Sequence, residues 1–343
     1  MSKIKVGISI GDLNGIGLEI IIKTFKDNRM MDFCTPIIFG SAKVASIHRK
    51  AIGMQDFSFN TIKNIKDANP KKANLLNIWD DDIEIDFGEA TTKSGELSFS
   101  SLKRASDALK KKEIDVLVTA PINKASIQEK VNVFIGHTEF LQNNFEGESL
   151  MVMASETMKI AFVTGHVPLT EVKKFISTEN IILKTKKLNA TLIQDFGVRM
   201  PKIAVLGLNP HAGENGLLGR EEEEYITPAV AKLRNENIMA FGPYPADSFF
   251  SNKNLENFDG ILSMYHDQGL TAFKTLSFSD GVNFTAGLNI IRTSPVHGTA
   301  YEIAGEGVAN EKSFREAVFM ACDIYKKRYE FKKLNENPLA LKS

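Results

Sequence analysis

Three of the chain's six histidines follow segments that have the composition of buried strands. His166 follows Ala-Phe-Val-Thr-Gly, His211 follows Leu-Gly-Leu-Asn-Pro, and His266 follows Leu-Ser-Met-Tyr. Because the carboxyl ends of parallel strands form the ligand crevice of an open α/β sheet, we expect these side chains to converge. Three neutral imidazoles would bind a divalent metal ion and leave a coordination position open. A single histidine after a strand is usually structural, and that alternative stays open for each of them.

Two carboxylates lie close to these segments in the sequence. Asp267 adjoins His266, and Asp247 stands in Tyr-Pro-Ala-Asp-Ser. Either one could hold a ring N–H, complete the coordination of a metal or accept a proton, and the sequence does not choose among these roles. The segment around His211 is dense in glycine. Glycine disfavours an ordered backbone unless the conformation requires it, so this density indicates an ordered loop with a specific backbone conformation and not an ordinary surface loop.

Two glycine-marked segments could bind an anion at the amino terminus of a helix. Gly11–Gly17 follows the first predicted strand, but its spacing is not G-x-G-x-x-G. An ordinary Rossmann fingerprint is therefore not assigned, and a tight strand–helix turn is an equal alternative. Residues 136–139 (Gly-His-Thr-Glu) begin a predicted helix, for which a simple N-cap is the alternative. Arg292 follows two isoleucines and needs an acceptor, such as a phosphate or carboxylate, if it is buried.

The bulk composition narrows the class of protein. The chain has 343 residues, which favours two domains, and its 42 Lys and Arg residues balance 42 Asp and Glu residues. This neutrality argues against general binding to nucleic acids or membrane surfaces. We expect no signal peptide and no membrane span, and therefore a cytoplasmic protein. Cys34 and Cys322 have no metal or redox spacing and are predicted to be buried thiols.

The elements that must position these residues alternate between strands and helices, as in α/β folds with parallel sheets. Strands are predicted at residues 3–10, 36–40, 115–119, 149–153, 159–164, 202–208 and 260–264. The last helix is predicted from Ser313 to the Lys326-Lys327-Arg328 cluster, since cations suit a helix carboxyl terminus. In the charged region 60–89, short strands are predicted around Ile78, Ile83 and Ile85, and the acidic run 80–82 is predicted to be a solvated loop.

Several segments together resemble the 4-hydroxythreonine-4-phosphate dehydrogenase family, which is NAD-dependent and acts in pyridoxal phosphate synthesis. The matching stretches are Thr119–Lys124, Gly136–Phe140, Gly207–Glu214, Pro245–Ser248, Met264–Leu270 and Ile291–Ser294. The first loop departs from the family's usual Pro-Ala-Gly-Ile-Gly-Pro-Glu, because Leu13 and Leu18 stand in place of the prolines. The lost rigidity could alter the fine geometry of that loop. Region 60–89 carries no motif that matches.

The resemblance implies an isocitrate/isopropylmalate dehydrogenase-like fold with two α/β domains around a central cleft. A discontinuous cofactor-side domain would comprise residues 1–130 and 285–343, and residues 131–284 would form the metal, substrate and dimerisation domain. The implied metal ligands are His166, His211 and His266, shared across a homodimer so that one histidine comes from the partner subunit. The implied substrate-binding residues are His137, Thr138, Lys274, Asn283 and Arg292. The metal would be zinc, cobalt or magnesium, with manganese also used by related dehydrogenases.

A second resemblance concerns the cofactor. Pro295–Gly305 is similar to the adenosine-binding loop of isopropylmalate and isocitrate dehydrogenases, which bind NAD(P) without a Rossmann fingerprint. The cofactor-binding residues that it implies are His297, Gly298, Thr299, Ala300 and Glu302. The Glu302 carboxylate would repel the 2′-phosphate of NADP, so NAD is expected.

The reaction that the family implies is oxidation of 4-phosphooxy-L-threonine followed by decarboxylation to 3-amino-2-oxopropyl phosphate. Asp247, Asp267 and Lys124 are the candidate proton acceptors. Two other functions stay open. One is a sister dehydrogenase for threonate or erythronate 4-phosphate, and the other is a non-catalytic ligand sensor on the same scaffold.

Overall fold

The computed structural model describes residues 3–80, 83–131 and 134–336. The chain forms two compact units. Unit 1 comprises Met1–Glu148 and Leu288–Tyr325, and unit 2 comprises Ser149–Gly287 and Lys326–Ser343. These bounds differ from the predicted domains, because the structure groups residues 131–148 with unit 1 and residues from Lys326 onward with unit 2. The phenylalanines at 134 and 140 explain the first difference, since both pack against the hydrophobic core of unit 1.

The strands of unit 1 run in the order β3-β4-β2-β1-β5-β12, and all of these neighbours pair in parallel. They are β1 (Ile4–Ser9), β2 (Cys34–Gly40), β3 (Asn60–Ile62), β4 (Asn74–Asn77), β5 (Val116–Thr119) and β12 (Arg292–Pro295). The helices of unit 1 are α1 (Gly17–Lys26), α2 (Met30–Phe33), α3 (Ala42–Ala51), α4 (Thr92–Lys110), α5 (Lys124–Gln128) and α6 (His137–Asn144).

The strands of unit 2 run in the order β11-β6-β7-β10-β8-β9. The β7–β10, β10–β8 and β8–β9 pairs are parallel, whereas β6 pairs antiparallel with β7. They are β6 (Gly147–Ala154), β7 (Lys159–Phe162), β8 (Lys202–Leu206), β9 (Met239–Tyr244), β10 (Gly260–Ser263) and β11 (Val282–Leu288). The helices of unit 2 are α7 (Val172–Phe175), α8 (Thr178–Gln194), α9 (Thr227–Asn235), α10 (Ala246–Phe249), α11 (Asn252–Asn257) and α12 (His266–Ser277).

Apolar periodicity explains how α4 packs on the sheet of unit 1. Leu102, Ala105 and Leu109 recur at helical spacing, and all three are buried in one core cluster with Leu117 of β5. The helix begins with a capping box, in which the Thr91 side chain accepts from the backbone N–H of the third helical residue. Burying each of the leucine side chains stabilises the fold by about 1.5–3 kcal/mol.

The last helix, α13 (Lys312–Asn335), is longer than predicted. It continues past the Lys326-Lys327-Arg328 cluster, so those cations do not mark its carboxyl terminus. The Arg328 side chain is largely buried, with 16% exposed, and its Nε donates to Asp195 Oδ1 at 2.6 Å. Asp195 is buried, and a buried carboxylate needs a cation nearby.

Region 60–89 also differs from its prediction. Short strands occur at β3 and β4, but not around Ile83 and Ile85. The buried Asn74 side chain holds the turn between β3 and β4, because it accepts from the backbone N–H of Asn69 at 2.8 Å and donates to the carbonyl of Lys72 at 2.8 Å. Most of the acidic run, at residues 81 and 82, lies outside the described residues. In the described ranges no helix has the length and apolarity to cross a bilayer. Both cysteines are buried and free, as predicted.

Candidate functional site

The three predicted metal-ligand histidines belong to unit 2, and each lies just beyond a strand. His166 follows β7, His211 follows β8, and His266 is the first residue of α12, directly after β10. These strands are neighbours in the order β7-β10-β8 and run in parallel. Their carboxyl ends therefore share one edge of the sheet, where the sequence predicts that the histidines converge.

Two of these histidines lie close together. The ring centroids of His166 and His266 are 5.2 Å apart. His266 Nδ1 lies 2.6 Å from Asp267 Oδ1, and since a carboxylate only accepts, the ring donates its Nδ1–H to it. This bond assigns the lone pair to Nε2, the form in which a histidine binds a metal ion. The side chains of His166 and His211 are exposed.

Hydrogen bonds join the loops that carry the histidines. The Thr164 hydroxyl donates to the carbonyl of Met264 at 3.0 Å, which ties the His166 loop to the start of α12. The Gln268 side chain accepts from Met264 N at 2.8 Å and donates to the carbonyl of Gly207 at 2.6 Å. Gly207 N donates in turn to the carbonyl of Tyr244 at 2.8 Å, just before the helix of Asp247. These hydrogen bonds therefore fix the loops of His166, His211 and His266 relative to one another.

The remaining predicted residues of unit 2 lie on three different elements. Asp247 lies on α10 and is exposed, whereas Lys274 lies on α12 and is half-buried. Asn283 lies on β11, and its Oδ1 is buried without a hydrogen-bond partner among the described residues. Within residues 3–80, 83–131 and 134–336, no three His, Cys, Asp or Glu side chains are grouped closely enough to hold a metal ion.

In unit 1, Arg292 occupies the first position of β12 and is buried, with 2% exposed. Its Nε and Nη2 donate to the hydroxyl of Thr119, the last residue of β5, at 3.1 and 2.7 Å. Burial lowers the pKa of Arg292 to about 9, and the carboxylate of Glu139 opposes this change. A buried arginine held at the carboxyl end of β5 is suited to bind an anion.

His137 and Lys124 lie near this arginine. His137 begins α6, and its Nε2 is buried without a partner in the described part of the chain. Burial lowers the pKa of His137 well below its ordinary value, and the cations Arg292 and Lys124 lower it further, so its ring is neutral. Thr138 is the next residue of α6 and is half-buried.

Gly136 is needed between these side chains. A Cβ at Gly136 would lie 2.9 Å from Glu139 Oε2 and 3.3 Å from Lys124 Nζ. The Glu139 carboxylate and the Lys124 ammonium therefore both lie close to the start of α6. No side chain caps this helix at its N-cap. Gly136 is the N-cap residue, so the simple N-cap stays an alternative, and the backbone N–H groups of the first turn are suited to bind an anion.

The predicted cofactor loop follows β12. His297, Gly298, Thr299 and Ala300 precede a short 3₁₀ turn at Tyr301–Ile303, where Glu302 is exposed. The loop packs on the segment Gly11–Gly17, since the carbonyl of Thr299 accepts from Ile16 N at 3.0 Å.

The same contact explains one glycine of the first loop. A Cβ on Gly15 would lie 2.8 Å from the Thr299 carbonyl oxygen, which leaves no room for a side chain. Gly15 is therefore required by packing, without any need for a phosphate. This favours the tight strand–helix turn over a phosphate-binding loop for the segment after β1.

Thr119 and Gln268 lie inside matched motifs, but no role was predicted for either of them. Each is a polar residue at the end of a strand or the start of a helix, and this was the signal available. Its partner could not be read from the sequence, because Thr119 and Arg292 are 173 positions apart.

Comparison with known proteins places the chain among close relatives. The family described as "Pyridoxal phosphate biosynthetic protein PdxA" matches residues 32–321. A Bacteroides thetaiotaomicron protein named "4-hydroxythreonine-4-phosphate dehydrogenase" is 45% identical over 340 residues, which cover 98% of this chain and 93% of the relative. An Oceanobacillus iheyensis protein named "Putative D-threonate 4-phosphate dehydrogenase" is 37% identical over 324 residues, covering 93% and 97%.

The fold comparison agrees with this. The crystal structure of a 4-hydroxythreonine-4-phosphate dehydrogenase from Burkholderia phymatum superimposes with a TM-score of 0.76 at 32% sequence identity. The match covers 94% of this chain and 99% of that one. These findings confirm the predicted family and its α/β fold class.

The substitution Thr119→Val tests the support of Arg292. Loss of the hydroxyl leaves two donors of a buried guanidinium without this acceptor, so we expect the free energy of unfolding to fall by about 1–3 kcal/mol. Thr61→Val, at an exposed position of β3, is the matched control and should have little effect. Urea unfolding followed by circular dichroism measures both. Equal stability of the two variants would show that the Thr119 hydroxyl does not support Arg292.

Proposed function

Because the chain belongs to the pyridoxal phosphate biosynthetic protein PdxA family, we propose that it is an NAD-dependent dehydrogenase of 4-phosphooxy-L-threonine. Oxidation of the secondary hydroxyl gives a β-keto acid, which loses carbon dioxide to yield 3-amino-2-oxopropyl phosphate. The observation that carries the proposal is the relative of that name, which is 45% identical over 98% of this chain.

The histidines of unit 2 suit a divalent metal ion. The rings of His166 and His266 are neighbours, and a histidine that donates Nδ1–H to a carboxylate, as His266 does to Asp267, is typical of metal ligands. We propose that His211 completes the set and that one of the three histidines comes from the partner subunit of a homodimer. A bound cation would supply Lewis acidity toward the substrate oxygen, and NAD would accept the hydride. The choice among zinc, cobalt, magnesium and manganese stays open.

The phosphate group of the substrate has suitable partners in unit 1. Arg292 supplies a buried cation, and the uncapped start of α6 supplies backbone N–H groups beside Thr138. His137 is neutral, so its ring can donate one hydrogen bond without adding charge. Lys274 and Asn283 are the proposed substrate-binding residues of unit 2, where the Asn283 oxygen is buried and lacks a partner among the described residues.

One contact narrows the choice among the three candidate proton acceptors. Asp267 is already bound to the His266 ring at 2.6 Å, which favours a role in orienting that ring. Asp247 and Lys124 are both exposed and remain the candidates that would take the hydroxyl proton, directly or through water.

The sister function is oxidation of a phosphorylated sugar acid. The Oceanobacillus iheyensis relative with a threonate name is 37% identical over 93% of this chain. This observation keeps threonate or erythronate 4-phosphate as the second candidate. A non-catalytic sensor has less support, because the metal, substrate and cofactor motifs all persist in the sequence.

A two-substrate assay decides between these functions. We expect purified protein to reduce NAD with 4-phosphooxy-L-threonine at a kcat/KM at least tenfold above that with threonate 4-phosphate, a difference of about 1.4 kcal/mol. Absorbance at the NADH band measures turnover, and mass spectrometry identifies the decarboxylated product. A preference for threonate 4-phosphate would establish the sister function. Failure of both substrates, together with no NAD binding, would support the sensor.

The variant His211→Ala tests the metal site. Because a proposed metal ligand is lost, we expect turnover to fall by at least about a thousandfold. Because the His211 side chain is exposed, the unfolding temperature should change little. Leu217→Ala, exposed in the same loop, is the control and should retain activity. Chelator-treated protein should likewise be inactive until a divalent cation is restored. Near-normal turnover of the metal-stripped protein would rule out the metal role.

The variant Glu302→Ala tests the cofactor preference. Removing the exposed carboxylate removes the repulsion expected toward the 2′-phosphate of NADP, so the ratio of kcat/KM for NADP over NAD should rise about tenfold. Glu306→Ala, exposed and close in sequence, should leave the ratio unchanged. Initial rates with both cofactors give the ratio. If the two variants behave alike, Glu302 does not select the cofactor.

A further inference from the structure

The loop that carries His211 has an unusual backbone. Every residue from His211 to Gly216 has a positive φ, between 43° and 85°. Non-glycine residues in this left-handed region each cost about 1–2 kcal/mol. His211, Ala212, Glu214 and Asn215 all bear this cost. Such a conformation persists only where surrounding contacts enforce it.

A buried carboxylate supplies those contacts. Glu222 begins a π-helical turn, Glu222–Ile226, and is 3% exposed. Its Oε1 accepts from the backbone N–H of Leu208 and of Asn209, each at 2.7 Å. Its Oε2 accepts from Asn209 Nδ2 at 2.9 Å. Hydrogen bonds from N–H groups to an ionised carboxylate are among the strong ones in proteins.

The glycines of the loop make room for this carboxylate. A Cβ at Gly213 would lie 2.6 Å from Glu222 Oε2, and a Cβ at Gly207 would lie 3.2 Å from Oε1. The loop therefore wraps closely around the Glu222 side chain, on both sides of His211 in the sequence. This explains the glycine density that the sequence analysis singled out.

A second carboxylate strengthens the arrangement from outside. Glu221 Oε2 accepts from Asn209 Nδ2 at 2.8 Å, and Glu221 Oε1 pairs with Lys173 at 2.7 Å. These hydrogen bonds, first that from Lys173 and then that from Asn209, lower the pKa of Glu221 to about 2. Asn209 is thus held by two carboxylates, two positions before His211.

We propose that Glu222 is a positioning residue for His211. Its oxygens accept three hydrogen bonds from the segment that precedes the histidine, so its role is to hold the left-handed loop and not to bind the metal ion itself. The inference rests on the proposed function, in which His211 is a metal ligand. Without Glu222, the loop would relax from its strained backbone and His211 would leave the coordination position.

The conservative variant Glu222→Gln tests this role. A glutamine keeps one oxygen for the two backbone donors but opposes Asn209 Nδ2 with its own amide N–H groups. Glu223→Gln is the matched control, because Glu223 is the next residue and is exposed. Affinity for Co²⁺ is measured on the metal-free full-length protein by competition with a chromophoric chelator. We expect a loss of about 10–100-fold for Glu222→Gln and none for Glu223→Gln.

Two further readouts separate positioning from a general loss of structure. Saturating Co²⁺ should restore most of the kcat of Glu222→Gln, with the substrate KM unchanged, since an unfolded variant would not be rescued. In the metal-free protein, trypsin should cleave after Arg220 faster in Glu222→Gln than in Glu223→Gln. Wild-type Co²⁺ affinity or wild-type cleavage for Glu222→Gln would overturn the proposal.

The same measurements distinguish this inference from the proposed function. If wild-type protein and His211→Ala bind Co²⁺ equally, His211 is not a ligand, and both the metal site and the positioning role fall. If His211→Ala loses Co²⁺ while Glu222→Gln retains it, the metal site stands and only the positioning role is overturned.

Discussion

A buried charged group must be paired, and in this chain such pairings decide where several of the proposed site residues lie. Arg292 is held by Thr119 at the end of the adjacent strand in unit 1. In unit 2, the buried Glu222 gathers backbone donors around the His211 loop. An unpaired charge in either place would cost several kcal/mol, so the partners are structural requirements as well as features of a site.

The parallel strands β7, β10 and β8 of unit 2 bring the ends of the histidine loops to one edge of their sheet, but the loops set their geometry. In unit 2, Gln268 links the start of the His266 helix to the strand that leads to His211. The Thr164 hydroxyl makes the corresponding link for His166. Catalytic groups must be held within a fraction of an ångström, and rotamers locked by such hydrogen bonds provide that precision. The loops of the three proposed metal ligands thus depend on hydrogen bonds from residues outside the proposed ligand set.

The first loop shows how a departure from the family pattern is accommodated. Leu13 and Leu18 replace prolines, and both are buried. The backbone is restrained instead by other groups: His48 Nε2 lies 2.7 Å from the carbonyl of Leu13, and Asn14 Nδ2 donates to the carbonyl of Glu89 at 2.8 Å. Burial lowers the pKa of His48 to about 4, so a neutral ring donates this bond. Region 60–89, which carried no recognisable motif, therefore helps to hold the loop beneath the proposed cofactor segment.

Local sequence determined the strands β1, β2, β5, β6, β7, β8 and β10 and the placement of the histidines after three of them, because side-chain periodicity and glycine-marked turns act over a few residues. It did not predict β9, β11 or β12. It also determined the family, since the motifs are long and specific. It misjudged the end of α13, because the Arg328 contact that explains its course joins residues 133 positions apart. Only the tertiary structure decided which donor meets which acceptor: Thr119 with Arg292, Gln268 with Gly207, Glu222 with the His211 loop. These hydrogen bonds depend on packing between distant segments, and no local pattern specifies them.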